Sequence, residues 1–165
     1  MLTEREKLVQ ELARKVAEDK VRPVAQQLDA EQTFPSFLFS ELAQTELCGV
    51  AIPEEYGGLG GNEMETILVI EELSRACAGI ALAFAGTVLA TYPILLYGSE
   101  EQKQEYLPKI ASGKKIGAFA LTEEGAGSDA SAVKTTAVRD KGGYCLSGVK
   151  QWITMADRRY FYVVI

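Results

Sequence analysis

The chain has 165 residues, 47% hydrophobic and 24% charged, and its 17 Lys and Arg against 23 Asp and Glu leave a net charge of −6. That balance belongs to a globular chain long enough to bury a sizeable core, which excludes disordered and fibrous classes. The acidic surplus argues against nucleic acid as a partner, because phosphate-backbone affinity rests on clustered cations. Lys103, Lys109, Lys114 and Lys115 gather loosely, but Glu100, Glu101 and Glu105 interleave with them, as on a solvated helix face. The absence of histidine removes Ser-His and Cys-His nucleophiles, histidine bases and histidine metal sites. Any proton transfer must use a carboxylate, Lys, Tyr or Cys. Cys48, Cys77 and Cys145 are far apart, odd in number and set among apolar neighbours. They read as buried thiols in a reducing compartment, with neither a disulfide nor zinc.

Thr3 and Glu6 form a capping box opening a helix, with Leu8, Val9, Leu12 and Val16 as its inward stripe. No basic segment and apolar stretch of the export type precedes it. Val24 and Leu28 mark a second short helix after Pro23, and Phe37, Leu38, Leu42 and Leu47 another, ended by Gly49. The run Pro53-Glu-Glu-Tyr-Gly-Gly-Leu-Gly-Gly61 is a punctuated loop. Asn62 and Glu65 then cap a helix whose inward positions include Met64, Ile67, Leu68 and Leu73. Residues 76–99 carry no charged side chain, long enough to test as a membrane span. Their glycines and many alanines favour a tightly packed core helix, and no membrane association is expected. Ser99 and Gln102 supply one more capping box, for a helix that ends or bends near Pro108, with Gly113 closing the segment.

From Ile116 the period changes. Ile116 to Leu121, Val133 to Arg139, Tyr144 to Ser147 and Tyr160 to Ile165 read as strands, with Lys141-Gly-Gly143 as an antiparallel turn. The fold class is therefore α+β: an all-α domain over residues 1–114, then the first strands of an antiparallel, barrel-like β domain over 115–165. The apolar final run Tyr160-Phe-Tyr-Val-Val-Ile165 leads us to expect further sequence or a partner that covers it.

Gly125-Ala-Gly-Ser-Asp-Ala130 fits the G-x-G-x-x-A pattern of dinucleotide-binding turns, whose chemistry requires a helix to start there. The following Ser131-Ala-Val-Lys-Thr-Thr-Ala-Val138 is rich in β-branched residues and lacks a helical stripe, so that reading is rejected. Closely spaced glycines still let backbone amides approach an anionic or carbonyl ligand, with the Ser128 hydroxyl as an added donor. A plain strand-connecting turn is the competing reading, and taken alone the turn favours it. Trp152, the sole tryptophan, offers a flat wall for a planar ring, and alone it is more often a core residue. Thr154, two residues on in a strand, would share its face, and Thr122 adds a hydroxyl beside the glycine turn. Glu123, Glu124 and Asp129 sit where carboxylates are solvated or capping rather than catalytic. The Glu54-Glu55 and Glu71-Glu72 pairs read as surface or packing-edge charges.

Four ordered motifs carry a resemblance: Pro53-Glu-Glu-Tyr-Gly-Gly-Leu-Gly60, Tyr97-Gly-Ser-Glu-Glu-Gln-Lys103, Ala120-Leu-Thr-Glu-Glu-Gly-Ala-Gly-Ser-Asp129 and Lys150-Gln-Trp-Ile-Thr154. Together they resemble the acyl-CoA dehydrogenases over essentially the whole chain. The resemblance implies FAD as cofactor, removal of the α-proton and β-hydride of an acyl-CoA to give the trans-2-enoyl-CoA, and an electron-transferring flavoprotein as acceptor. It assigns the flavin's pyrimidine edge to the backbone of Phe119, Leu121 and Thr122 and to the Thr122 hydroxyl. Trp152, with Ile153 beside it, packs by the ring, and Thr154 donates toward N5. Ser128 lies where flavin and the pantetheine part of the substrate meet. Glu124 departs from the family, which usually has proline there. The family's catalytic glutamate belongs to a C-terminal helical domain with no counterpart here, so no catalytic residue is expected in this chain. The expectation is a fragment or subunit of an acyl-CoA dehydrogenase, inactive alone, assembling as a homo-oligomer or with a companion chain. A non-catalytic truncated module of the same fold, and oxidase or monooxygenase chemistry, are the alternatives. A cytoplasmic location is expected, or the mitochondrial matrix for a processed eukaryotic chain.

Overall fold

The computed structural model describes residues 1–34, 36–157 and 161–165. Tyr160, assigned from sequence to the last strand, lies outside them. Helix α1 spans Glu4–Val16, and its Thr3–Glu6 capping box is formed in both directions. The helical path does not break afterwards. A π-helical turn, Ala17–Val21, leads straight into α2, Arg22–Glu31, which holds Pro23 in its first turn. Proline has no N–H to return to the preceding turn, and the widened π turn accommodates that missing donor. Helix α3 follows at Ser36–Gln44, then α4 at Glu63–Ala76, α5 at Ala78–Tyr97 and α6 at Glu100–Ala111. The boxes at Asn62–Glu65 and Ser99–Gln102 are both closed.

Three sequence expectations about these helices are corrected. Leu8 (66% exposed), Met64 and Ile67 face solvent, while Val9, Val16, Leu68 and Leu73 are buried. The stripe toward the core is narrower than the hydrophobic pattern. Helix α6 also runs through Pro108 to Ala111, the Ser112 N–H donating to the Pro108 carbonyl at 3.1 Å. Gly113 closes the segment at φ +65, pressed against Phe39 and Ala43. Finally, only Cys48 is a buried thiol; Cys77 is half-buried and Cys145 exposed. Burial among apolar groups pushes the Cys48 thiol up to about 12.

The α1–α4 contact carries two buried carboxylates. Arg14 grips Glu72 in a bidentate pair, Nε to Oε2 at 3.0 Å and Nη2 to Oε1 at 2.7 Å. Arg5 Nε stands 2.8 Å from Glu65 Oε1, off the line a hydrogen bond needs, so it neutralises that oxygen without bonding it. Helix α5 has 20 residues and a mean hydropathy of 1.8 over its most apolar window, long and apolar enough to cross a membrane. It buries Ile80, Ala81, Ala83, Phe84 and Val88 in the core shared with α1, α3 and α4.

Strand β1, Gly117–Ala120, lies on α5, so closely that a Cβ at Gly117 would sit 2.7 Å from Ala90 Cβ and 2.6 Å from Phe161 Cζ. Strands β2, Thr136–Asp140, and β3, Gly143–Ser147, form an antiparallel hairpin. Lys141 (φ 30) and Gly142 (φ 92) turn it, as the Lys-Gly-Gly sequence required. Strand β4, Phe161–Val164, pairs with β1 in parallel, Gly117 opposite Phe161 and Ala120 opposite Val164. The hairpin and the segment after it lie between β1 and β4 in sequence, and this long excursion lets the chain return in the same direction.

Candidate functional site

Beyond β1 the chain leaves the ladder. The Ala120 carbonyl takes the Ile165 N–H at 3.1 Å, so the peptide groups of Phe119 and Leu121 turn to the edge of β1 that carries no strand. On that edge the Leu121 carbonyl accepts from Lys150 Nζ at 2.9 Å. The Thr122 carbonyl accepts from the Gln151 N–H, also at 2.9 Å. Both signature segments are thus tied together through backbone oxygens. Their donors are not spent: among the described residues, the N–H groups of Leu121 and Thr122 and the Thr122 hydroxyl donate to no protein acceptor. Phe119, Leu121 and Thr122 are half-buried. The Leu121 N–H on that edge and the Thr122 N–H, which points away from the Leu121 carbonyl, each need an acceptor from outside the chain, water or a ligand. A flat heterocycle with carbonyl and ring-nitrogen acceptors meets that need.

The glycine turn is tight. Glu123 and Ala126 exchange backbone bonds of 3.1 and 3.2 Å around Glu124-Gly125. Asp129 then caps the short 3-10 turn Ala130–Ala132 by accepting from the Ser131 N–H at 3.2 Å. No α-helix starts there, which agrees with rejecting the dinucleotide-binding turn. Ser128 is exposed and Glu124 points to solvent.

Glu123 departs from one part of the sequence expectation, that of a solvated carboxylate. Its carboxylate is buried rather than solvated, accepting from the Lys134 N–H at 2.8 Å, the Thr135 N–H at 2.9 Å, the Thr135 hydroxyl, and Lys150 Nζ at 2.8 Å. Lys150, the hydroxyl and the amides hold this group down at about 2, far below the carboxylate range. A group so strongly held as an anion is a poor proton acceptor near neutral pH. The sequence did contain a signal for the pair: an acidic residue directly follows Thr122 in one signature segment, and a basic residue opens the other.

The second segment also differs from expectation. Residues 150–154 are not a strand, and Trp152 adopts φ 60 with 85% of its surface exposed. The two-residue repeat that would place Trp152 and Thr154 on one face therefore does not apply. Thr154 is half-buried against α5, where a Cβ at Gly86 would approach Thr154 Cγ2 to 3.3 Å. It also lines a cavity of about 400 Å³ with Leu28, Phe34, Cys77, Ile80 and Met155. Ile153 packs against the main core. An exposed indole in a left-handed conformation, which a bulky residue adopts at a cost, suits a wall awaiting a planar ligand. The site is thus an open edge of unspent donors, a free aromatic face and a hydroxyl beside a cavity. No group of His, Cys, Asp and Glu among the described residues could hold a metal ion.

Residues 3–114 match the family description "Acyl-CoA dehydrogenase, N-terminal domain", and residues 118–165 match "Acyl-CoA dehydrogenase, middle domain". The chain belongs to the acyl-CoA dehydrogenase family. It is 41% identical over 159 residues to acryloyl-CoA reductase (NADH) of Anaerotignum propionicum, covering 95% of this chain and 40% of that protein. Among solved structures, butyryl-CoA dehydrogenase of Megasphaera elsdenii superposes with a TM-score of 0.90 at 36% identity, covering 99% of this chain and 44% of the other. An acyl-CoA dehydrogenase from Bacillus anthracis, solved with FAD, gives 0.90 at 37% identity, with 99% and 28% coverage. The chain thus spans about 40% of the length of the curated relatives it matches. Against this acyl-CoA dehydrogenase frame, the helices and β1 form the scaffold, and the edge beyond Ala120 is where the family motif runs.

Proposed function

We propose that this chain supplies the flavin-holding part of an FAD-dependent acyl-CoA dehydrogenase. The observation that carries the reading is the set of unspent donors at Leu121 and Thr122, whose carbonyls are anchored by Lys150 and Gln151. Phe119, Leu121 and Thr122 hold the acceptor edge of the ring, Trp152 and Ile153 flank it, and Thr154 donates from the side of α5. Ser128, exposed on the turn, meets the pantetheine arm. FAD, when bound, supplies the hydride-accepting chemistry; the protein orients it and sets its electron demand. The α-proton leaves to a base outside these residues, since Glu123 is committed to its ion pair. Acyl-CoA is the substrate, an electron-transferring flavoprotein takes the electrons, and further copies or a companion chain complete the site. The free thiols fit a reducing compartment, and we place the protein in the cytoplasm.

The test is an intact mass with a visible absorption spectrum of the purified chain, followed by FAD titration. The expected results are saturable flavin binding and quenching of the single, exposed Trp152 on titration. No flavin bands and an indole emission indifferent to FAD would refute the reading for this chain.

A further inference from the structure

The Leu121 carbonyl and the Thr122 N–H are the two ends of one peptide group. The oxygen end accepts from a nearly buried ammonium, Lys150 Nζ at 2.9 Å, and the N–H end has no acceptor among the described residues. Lys150 and Glu123 keep only 11% and 9% of their side-chain surface exposed. An ammonium so deep is tolerated only with a counter-charge, and Glu123 provides it at 2.8 Å, itself fixed by Lys134, Thr135 and the turn. The pair adds no net charge beside the site, yet the cation, not the anion, touches the peptide oxygen. Hydrogen bonds in series polarise one another, and charge-assisted bonds are the stronger kind.

We propose that Lys150 is a positioning residue that acts through the Leu121–Thr122 peptide: its ammonium polarises that peptide so that the Thr122 N–H becomes a stronger donor to the bound ring, strongest when the ring is electron-rich. The proposal rests on the flavin reading above. It separates Lys150 from a plain structural staple, because a staple would affect stability while leaving the preference between oxidised and reduced ligand unchanged.

The experiment measures FAD dissociation and flavin midpoint potential in the full chain for the wild type, K150M, K150R and T135V. K150M is expected to raise the FAD dissociation constant on the order of tenfold, equivalent to about 1.4 kcal/mol, and to move the midpoint potential negative. K150R keeps the cation and is expected to hold the potential near wild type. T135V removes one bond to Glu123 without touching the Lys150–Leu121 contact, so it should lower thermal stability and leave the potential in place. A K150M protein that is less stable but has an unchanged potential overturns the proposal, as does a T135V potential shifted as far as that of K150M. Should K150M not fold, K150Q takes its place with the same criterion. Wild type that binds no flavin refutes the flavin reading itself and this inference with it, an outcome distinct from flavin retention with an unmoved potential.

Discussion

At the residue scale, two buried carboxylates are held by cations that approach from the surface. Glu72 is 2% exposed and gripped by Arg14, whose hydrogen bonds and charge lower its pKa. Arg14→Met leaves that carboxylate with Arg75 at 3.5 Å and the Gln10 side chain. The expected cost is about 2 kcal/mol, read as a lower urea midpoint at unchanged slope. The same geometry fixes the sign of the pH response. Glu72 and Glu123 both have folded values below the ordinary carboxylate value, so their contribution is complete above about pH 4.3. It is lost as the pH falls through the folded values, which for Glu123 lies at about 2. Acid titration of stability should therefore show a decline below pH 4 that is smaller in a Glu123→Gln variant. The burial of Glu123 was not legible in sequence because a carboxylate beside a glycine turn is ordinarily wet; its pocket is made by Lys134, Thr135 and Lys150, which come back to it from further along the chain.

At the element scale, the caps were the most legible features. Thr3, Asn62 and Ser99 each satisfy orphan amides within four residues, so nothing distant can overrule them. Prolines were less legible. Pro23 follows a π turn and Pro108 sits inside α6, placements that a local signal does not separate from a helix break. The segment holding Trp152 and Thr154 was misread as a strand for the same reason: its Gln151 N–H is committed to the Thr122 carbonyl, and the Thr154 side chain lies against α5. Gly148 belongs to that commitment. A Cβ there would collide with the Thr135 hydroxyl, which also serves Glu123. Gly148→Ala is expected to cost about 1–3 kcal/mol by forcing this contact apart. Thermal unfolding would show it, and a neutral result would mean the two segments are not held together as described.

At the scale of the molecule, the order of a helical half and a β-rich half was readable because hydrophobic period switches from 3.6 to 2 near Ile116. The pairing of β1 with β4 was not, since parallel neighbours are chosen by where the chain returns rather than by local pattern. One face of α5 stays uncovered: Leu82, Leu89 and Leu96, seven residues apart, are 58%, 52% and 68% exposed. Such a stripe promotes association. Leu89→Gln with Leu96→Gln should change stability by less than about 0.5 kcal/mol while reducing self-association in sedimentation velocity; marked unfolding would show that the face is already packed. The clamp has a final consequence for the hairpin. The chain leaves the site at Glu123 and comes back to within 2.8 Å of it at Lys150, and every residue of β2 and β3 in between is exposed. The hairpin is a detour closed at its base by the Glu123–Lys150 pair. A label grafted between Lys141 and Gly142 is expected to ride outside that closure and to leave the Glu123–Lys150 pair intact.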